Sequence, residues 1–218
     1  MEQHIILSAF GTTTVAQNTY NHIEAHIKSH FPESTVHWHF SSPMAKNGPI
    51  SELIASLTRN DDCRIVVQSI HVSPGHEFHQ IVRECLLSGG KIGIGMPLLA
   101  SQEDHYQVAR ALLPLIHNHL HDGVIIFGHG TSHPSWTVLP AFEKIVRKLT
   151  GKQVIVAALE KFPSSEDVIA ELKQNKCSKV LAIPLLITAG MHFHRDITGN
   201  SDKSWTNRLA KESIALLY

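Results

Sequence analysis

The chain has 218 residues, 43% hydrophobic and 17% charged, which supplies core for one large domain or two small ones. Lys plus Arg equals Asp plus Glu at 19 each, so the basic excess that phosphate binding demands is missing and nucleic acid is excluded as a general partner. Met1-Glu2-Gln3-His4 lacks the basic region of a signal peptide, and apolar runs such as Val154–Leu159 fall far short of the roughly 20 residues a membrane span needs. Cys63, Cys85 and Cys177 form no CxxC pair, the usage of a reducing cytoplasm, where the protein is expected to reside.

Short apolar runs alternate with amphipathic stretches along the whole chain, the pattern of βα units and a mostly parallel sheet. In the first half, strands are predicted near Ile5–Phe10, Val36–Phe40, Arg64–Ser69 and Lys91–Gly95. Helices follow each near Val15–Ser29, Ile50–Thr58, Glu77–Leu87 and Glu103–His117. The second half gives strands near Gly123–Phe127, Gln153–Ala157 and Lys179–Pro184, with helices near Trp136–Leu149, Ser165–Gln174 and Ser204–Lys211. Thr12-Thr13-Thr14 and Ser164-Ser165-Glu166 supply hydroxyls where N-caps are wanted.

The halves echo one another. Ile5 to Thr12 is matched by Val124 to His129, pairing Phe10-Gly11 with Phe127-Gly128, and Gly75-His76-Glu77-Phe78-His79 returns as Gly190-Met191-His192-Phe193-His194. Nearly equal spacing of the two matches implies a duplicated α/β unit. Residues 1–121 and 122–218 are the two expected subdomains, with the boundary at the bend Leu120–Asp122. Open α/β sheets bind ligands beyond the carboxyl ends of their strands. The repeated segments therefore point to a cleft between the halves.

Seventeen histidines are unusual for this length, and most are read as solvated surface residues. His129 stands apart because it ends a buried strand between Gly128 and Gly130, where small neighbours let a large ligand approach. The central residue is not Ser, so this is no nucleophile elbow. Glu160 ends the next strand and His192 follows the third. Two imidazoles and a carboxylate suit an intermediate first-row divalent metal with open positions for water or substrate. Phe10, Gly11 and Thr12 at the first strand end, with His71 and Glu77 in the first repeat, are the candidate substrate-binding residues. Backbone N–H groups at Thr12-Thr13-Thr14 and at Thr131-Ser132 are candidate anion sites, with Arg83 and Arg195 behind them. The His37/His39 and His117/His121 pairs are read as ordinary, non-functional histidines, and Trp136 and Trp205 as packing residues.

These residues fall in ordered segments: Ser8 to Thr12, Val67 to His71, Ile81 to Glu84, Gly95 to Leu99, Gly128-His129-Gly130, Glu160 to Pro163, Pro184 to Leu186, and Ala189 to His192 through Arg195-Asp196 to Ser204-Trp205. As a set they resemble the sirohydrochlorin cobalt chelatases of the anaerobic pathway, relatives of the ferrochelatases. The resemblance implies two Rossmann-like α/β subdomains around a tetrapyrrole cleft, and a lyase that inserts Co²⁺ on the way to cobalamin, with Fe²⁺ or Ni²⁺ as alternative substrate metals. By position, the metal would be held by His129, Glu160 and His192, with His129 as proton acceptor. Met191 stands where the family usually carries an acidic residue. The resemblance also implies that a final strand-helix unit is missing after Ser204-Trp205. An uncovered sheet edge would then favour self-association, and a non-catalytic tetrapyrrole or metal carrier is the alternative function.

Overall fold

The structure is a computed structural model that describes residues 2–11, 17–42, 48–58, 63–89, 91–117, 120–188, 190 and 193–218. Its elements run β1 (Glu2–Ala9), α1 (Gln17–His30), β2 (Ser34–Phe40), α2 (Ile50–Leu57), β3 (Cys63–Ser69), α3 (His76–Leu87), β4 (Ile92–Gly95), α4 (Gln102–His117), β5 (Gly123–Gly128), α5 (Val138–Thr150), β6 (Val154–Ala158), α6 (Ser165–Gln174), β7 (Lys179–Pro184), α7 (Trp205–Lys211) and β8 (Ala215–Leu217). Two parallel four-stranded sheets result, ordered β2-β1-β3-β4 and β6-β5-β7-β8. The duplication expected from the repeats is therefore present in the strand order itself.

Continuous apolar strands explain the parallel sheets. Every residue of β5 and of β6 is buried, so these strands need cover on both faces, which crossover helices provide. α5 turns Leu139, Phe142 and Val146 inward at helical spacing and stops at Gly151, whose φ of +65° makes a left-handed cap. α6 and α7 begin on Ser164 and Ser204, whose hydroxyls accept the Asp167 and Asn207 amides at 3.2 and 3.3 Å. In the second core Phe127 meets Trp205 edge-on at 5.0 Å, so Trp205 is the packing residue it was expected to be. No described helix is long and apolar enough to cross a membrane.

The chain divides into two compact units, Met1–Ala100 and Ser101–Tyr218. The sequence places the boundary about one helix later, at Leu120–Asp122. The difference is α4, which packs against α5, with the His105 and Phe142 rings 5.9 Å apart. Helical periodicity shows that α4 has an apolar face but not which core that face joins.

The C-terminus corrects a second expectation. No fourth strand was foreseen in the second sheet, yet Ala215–Leu217 pairs in parallel with Lys179–Leu181. Ile214 enters the core and the Ala215 amide donates to the Ser178 carbonyl at 2.8 Å. The edge of β7 is thus covered. A three-residue strand of Ala-Leu-Leu has no β-branched residue, so nothing local distinguishes it from a helical tail. Asp122 fixes the neighbouring strand start by accepting the Ser178 hydroxyl and the Ser178 and Lys179 amides at 2.6, 2.8 and 3.0 Å, which lowers its pKa.

Backbone hydrogen bonds also reset the register of the repeat. Ile70 donates to Ser8 O and Leu185 to Phe127 O; Ser42 donates to Phe10 O and Glu160 to His129 O; Gly75 donates to Ser73 O and Gly190 to Thr188 O. Gly11 and Gly130 share a left-handed φ, +88° and +86°. Phe10-Gly11 therefore corresponds to His129-Gly130 rather than to Phe127-Gly128. The shared Phe-Gly letters misled the sequence match, because strand ends are set by the ladder and not by residue identity.

The first unit carries a histidine pair far from these strand ends along β1. His37 Nε2 and His4 Nδ1 are hydrogen-bonded at 3.2 Å, so one ring must accept from the other. Burial, and then His4, hold the His37 pKa below its ordinary 6.5, with Glu2 opposing. The unfolded chain takes up this proton first, so the stabilisation is complete above pH 6.5 and is lost as pH falls through the lower folded value. His71, with a pKa also lowered by burial, adds in the same direction. Denaturant midpoints measured against pH should fall below pH 6.5, and His37→Gln should flatten that fall. An unchanged slope in the variant would assign the effect elsewhere.

Candidate metal centre

Strands β5 and β6 continue to pair beyond their regular ends. The Leu159 amide donates to Gly128 O and the Glu160 amide to His129 O, both at 2.9 Å. This puts His129 and Glu160 side by side at the carboxyl edge of the second sheet, both exposed. His129 Nδ1 lies 3.2 Å from the Gly130 carbonyl. A carbonyl only accepts, so Nδ1 carries the proton and Nε2 presents a lone pair, the orientation usual for a metal-bound imidazole.

The flanking glycines have a different task from the one expected. A Cβ on Gly128 would lie 2.6 Å from Leu139 Cδ1, and one on Gly130 only 1.8 Å from the Glu160 carbonyl oxygen. The space beside them is filled by α5 and by the β6 exit, not reserved for a ligand. Gly130 is also at φ +86°, a conformation glycine adopts without steric cost. Their absent side chains thus bring His129 and Glu160 together.

Past Glu160 the chain turns through Lys161 at φ +70°. Arg195, in a π-helical turn (Phe193–Ile197), is held bidentately by Asp196 at 2.6 and 2.9 Å. Its pKa is raised first by that hydrogen bonding and by the Asp196 charge, and further by the Glu160 carboxylate. An exposed guanidinium therefore sits within electrostatic reach of Glu160. His192 lies outside the described residues, although its flanks, Gly190 and Phe193, are placed and joined by a 3.1 Å hydrogen bond. Among the described residues no three His, Cys, Asp or Glu side chains converge as metal ligands.

In the first unit, Phe10 is 52% exposed at the end of β1, and a Cβ on Gly11 would meet Phe40 Cβ at 2.9 Å. Thr12, with Thr13 and Thr14, lies outside the described residues. His71 Nδ1 is hydrogen-bonded to Ser69 Oγ at 2.9 Å, while its buried Nε2 has no hydrogen-bond partner among the described residues. Burial lowers the His71 pKa and the Glu77 charge opposes this, so the ring is neutral near pH 7 with one nitrogen left over. Glu77 is exposed in the first turn of α3. By the hydrogen-bond equivalence above, Phe10 and Ser42 occupy the places of His129 and Glu160. The first unit has the frame of the site without its ligand chemistry.

Several other candidates serve the fold. His39 bonds Ser8 Oγ and the Gly48 carbonyl, each at 3.1 Å, and His121 Nε2 bonds the Ile116 carbonyl at 2.8 Å. Thr131 Oγ accepts the His133 amide at 3.1 Å, so this hydroxyl already has an internal partner. Trp136 corrects its reading as a packing residue. It is 42% exposed and meets Phe162, 52% exposed, edge-to-face at 5.5 Å. The pair follows the two strand ends that carry His129 and Glu160. The signal available in the sequence was the position of Phe162, two residues after Glu160.

Two parallel four-stranded α/β units, the second with an exposed histidine and glutamate at adjoining strand ends, make up a fold shared with chelatases. The fold is similar to the sirohydrochlorin chelatase SirB of Bacillus subtilis subspecies spizizenii in complex with cobalt, at TM-score 0.67 and 16% identity over 99% of this chain and 86% of that one. It is also similar to Bacillus subtilis SirB with Fe³⁺, at TM-score 0.69 and 16% identity over 100% and 88%.

The chain belongs to the cobalt chelatase (CbiK) family, whose model matches residues 3–216. It is 27% identical to the sirohydrochlorin cobaltochelatase CbiKC of Nitratidesulfovibrio vulgaris, over 96% of this chain and 80% of the relative. It is 29% identical to a sirohydrochlorin cobaltochelatase of Salmonella typhimurium, over 69% of this chain and 58% of that one.

Gly130→Ala should cost about 1–3 kcal/mol through its left-handed backbone, and more through the collision with the Glu160 carbonyl. Thermal unfolding together with Co²⁺ titration checks this. Unchanged stability and cobalt affinity would show that the strand ends are not held by this contact.

Proposed function

We propose that this chain inserts Co²⁺ into sirohydrochlorin in the anaerobic route to cobalamin, with His129, Glu160 and His192 holding the incoming metal. The observation that carries the reading is the hydrogen-bonded pair of strand ends that sets His129 beside Glu160, in a chain of the cobalt chelatase family. Two neutral imidazoles and one carboxylate replace part of the hydration shell of a divalent cation and leave positions open for the macrocycle nitrogens. The products balance as one metallated ring, two released pyrrole protons and the displaced waters.

His129 has one nitrogen for two tasks. With Nδ1 directed at the Gly130 carbonyl, Nε2 either binds metal or accepts a pyrrole proton. The two roles are therefore sequential at this atom, or His71 accepts one of the protons. Arg195, exposed and tied to Asp196, suits the carboxylates around the tetrapyrrole rim. The exposed Trp136–Phe162 pair offers apolar rings to a flat conjugated face.

His129→Ala should abolish anaerobic insertion into sirohydrochlorin while leaving circular dichroism unchanged, because the side chain is exposed and fills no core. Near-normal turnover in the purified variant would overturn the assignment, and the same assay run with Fe²⁺ and Ni²⁺ ranks the substrate metals.

The first unit lacks the ligand pair, so its residues act on the tetrapyrrole. His71→Ala and Glu77→Ala should weaken sirohydrochlorin binding or slow turnover more than they weaken Co²⁺ binding. Calorimetry with Co²⁺ alone tests this against His192→Ala, and an equal loss of metal affinity would refute the division.

A further inference from the structure

Helix α1 carries histidines at 22, 26 and 30, a spacing of four that repeats, and all three are exposed. Side chains four residues apart are neighbours on one helix face. The His26 and His30 rings are in contact, with centroids 4.4 Å apart. His30 Nδ1 lies 2.9 Å from the His26 carbonyl oxygen, which only accepts, so Nδ1 carries the proton and Nε2 presents a lone pair. The Ser29 hydroxyl donates to the same carbonyl at 2.7 Å and lies 3.1 Å from His30 Nδ1.

A ring nitrogen donating to a carbonyl, with the other left outward, is how ligating histidines are held and oriented. The position favours a cation as well. His30 ends α1, where the helix dipole is negative, and Lys28 of the same turn is drawn to Glu24 at 2.6 Å. Neutral imidazoles select intermediate transition metals over Mg²⁺ or Ca²⁺, which prefer oxygen.

We propose that His26 and His30 form a two-histidine site on α1 for a divalent first-row transition-metal ion, independent of His129 and Glu160. Water completes the coordination, and His22 extends the stripe by one turn. The site does not rest on the chelation reading, because it needs only the metal.

The test is calorimetric titration of Co²⁺ alone into the metal-free full-length protein, its His129→Ala variant, and a His26→Gln/His30→Gln variant. Glutamine keeps the helix and the exposed surface, and thermal unfolding checks that it does. The His129→Ala protein should retain a Co²⁺ binding event that the helix variant loses. His30→Gln alone should weaken that event about tenfold or more, because a single imidazole remains. In NMR spectra, paramagnetic Co²⁺ should broaden the His26 and His30 ring signals. Insertion at saturating cobalt should be unaffected by the helix variant. If His129→Ala removes all Co²⁺ binding, or if the helix variant leaves the titration unchanged and the metal sits on other histidines, the site does not exist.

Discussion

The second unit depends on one continuation of hydrogen bonding. Parallel strands β5 and β6 stay hydrogen-bonded past their regular ends through the Leu159 and Glu160 amides, and that segment carries His129 and Glu160. The continuation is possible only because Gly130 lets its backbone lie against the Glu160 carbonyl. The main-chain geometry thereby fixes where two exposed, polar side chains leave the backbone. Such a site is held by the buried strands beneath it, whose side chains lock the register.

The same frame appears twice with different side chains. The first unit reproduces the amide–carbonyl pairs and the left-handed glycine, yet places Phe10 and Ser42 where the second has His129 and Glu160. An apolar ring and a small hydroxyl contribute little to metal binding, but they suit contact with a large, partly apolar substrate. The buried Nε2 of His71, without a partner among the described residues, adds a polar group that a ligand can satisfy. The two copies of one motif thus differ in chemistry at the same backbone positions, which is the asymmetry on which the proposed division of tasks rests.

Much of this was legible without coordinates. Long strands showed as unbroken apolar runs, and α5 showed by its spacing of Leu139, Phe142 and Val146. His129 and Glu160 were legible because a polar residue after a buried strand must lie at the sheet's carboxyl edge. Four features escaped. The β8 strand is too short and too helix-like in composition to announce itself. The α4 helix has an apolar face without a label for its partner. The Trp136–Phe162 pair joins residues from two loops, and only folding reveals that the rings meet in the open. The repeat register needed backbone bonds, since Phe-Gly matched Phe-Gly more closely than it matched His-Gly.

The sequence by itself determined the alternation of strands and helices, the duplication, the strand-end positions of His129 and Glu160 and the family to which they point. Each of these is written in local pattern, where hydrophobic period and neighbouring residues suffice. Tertiary structure decided which core α4 joins, where the second sheet ends, what the glycines beside His129 make room for, and which residues of the two copies correspond. Those depend on atoms distant in the chain meeting at separations of a few ångströms, and no local pattern encodes them.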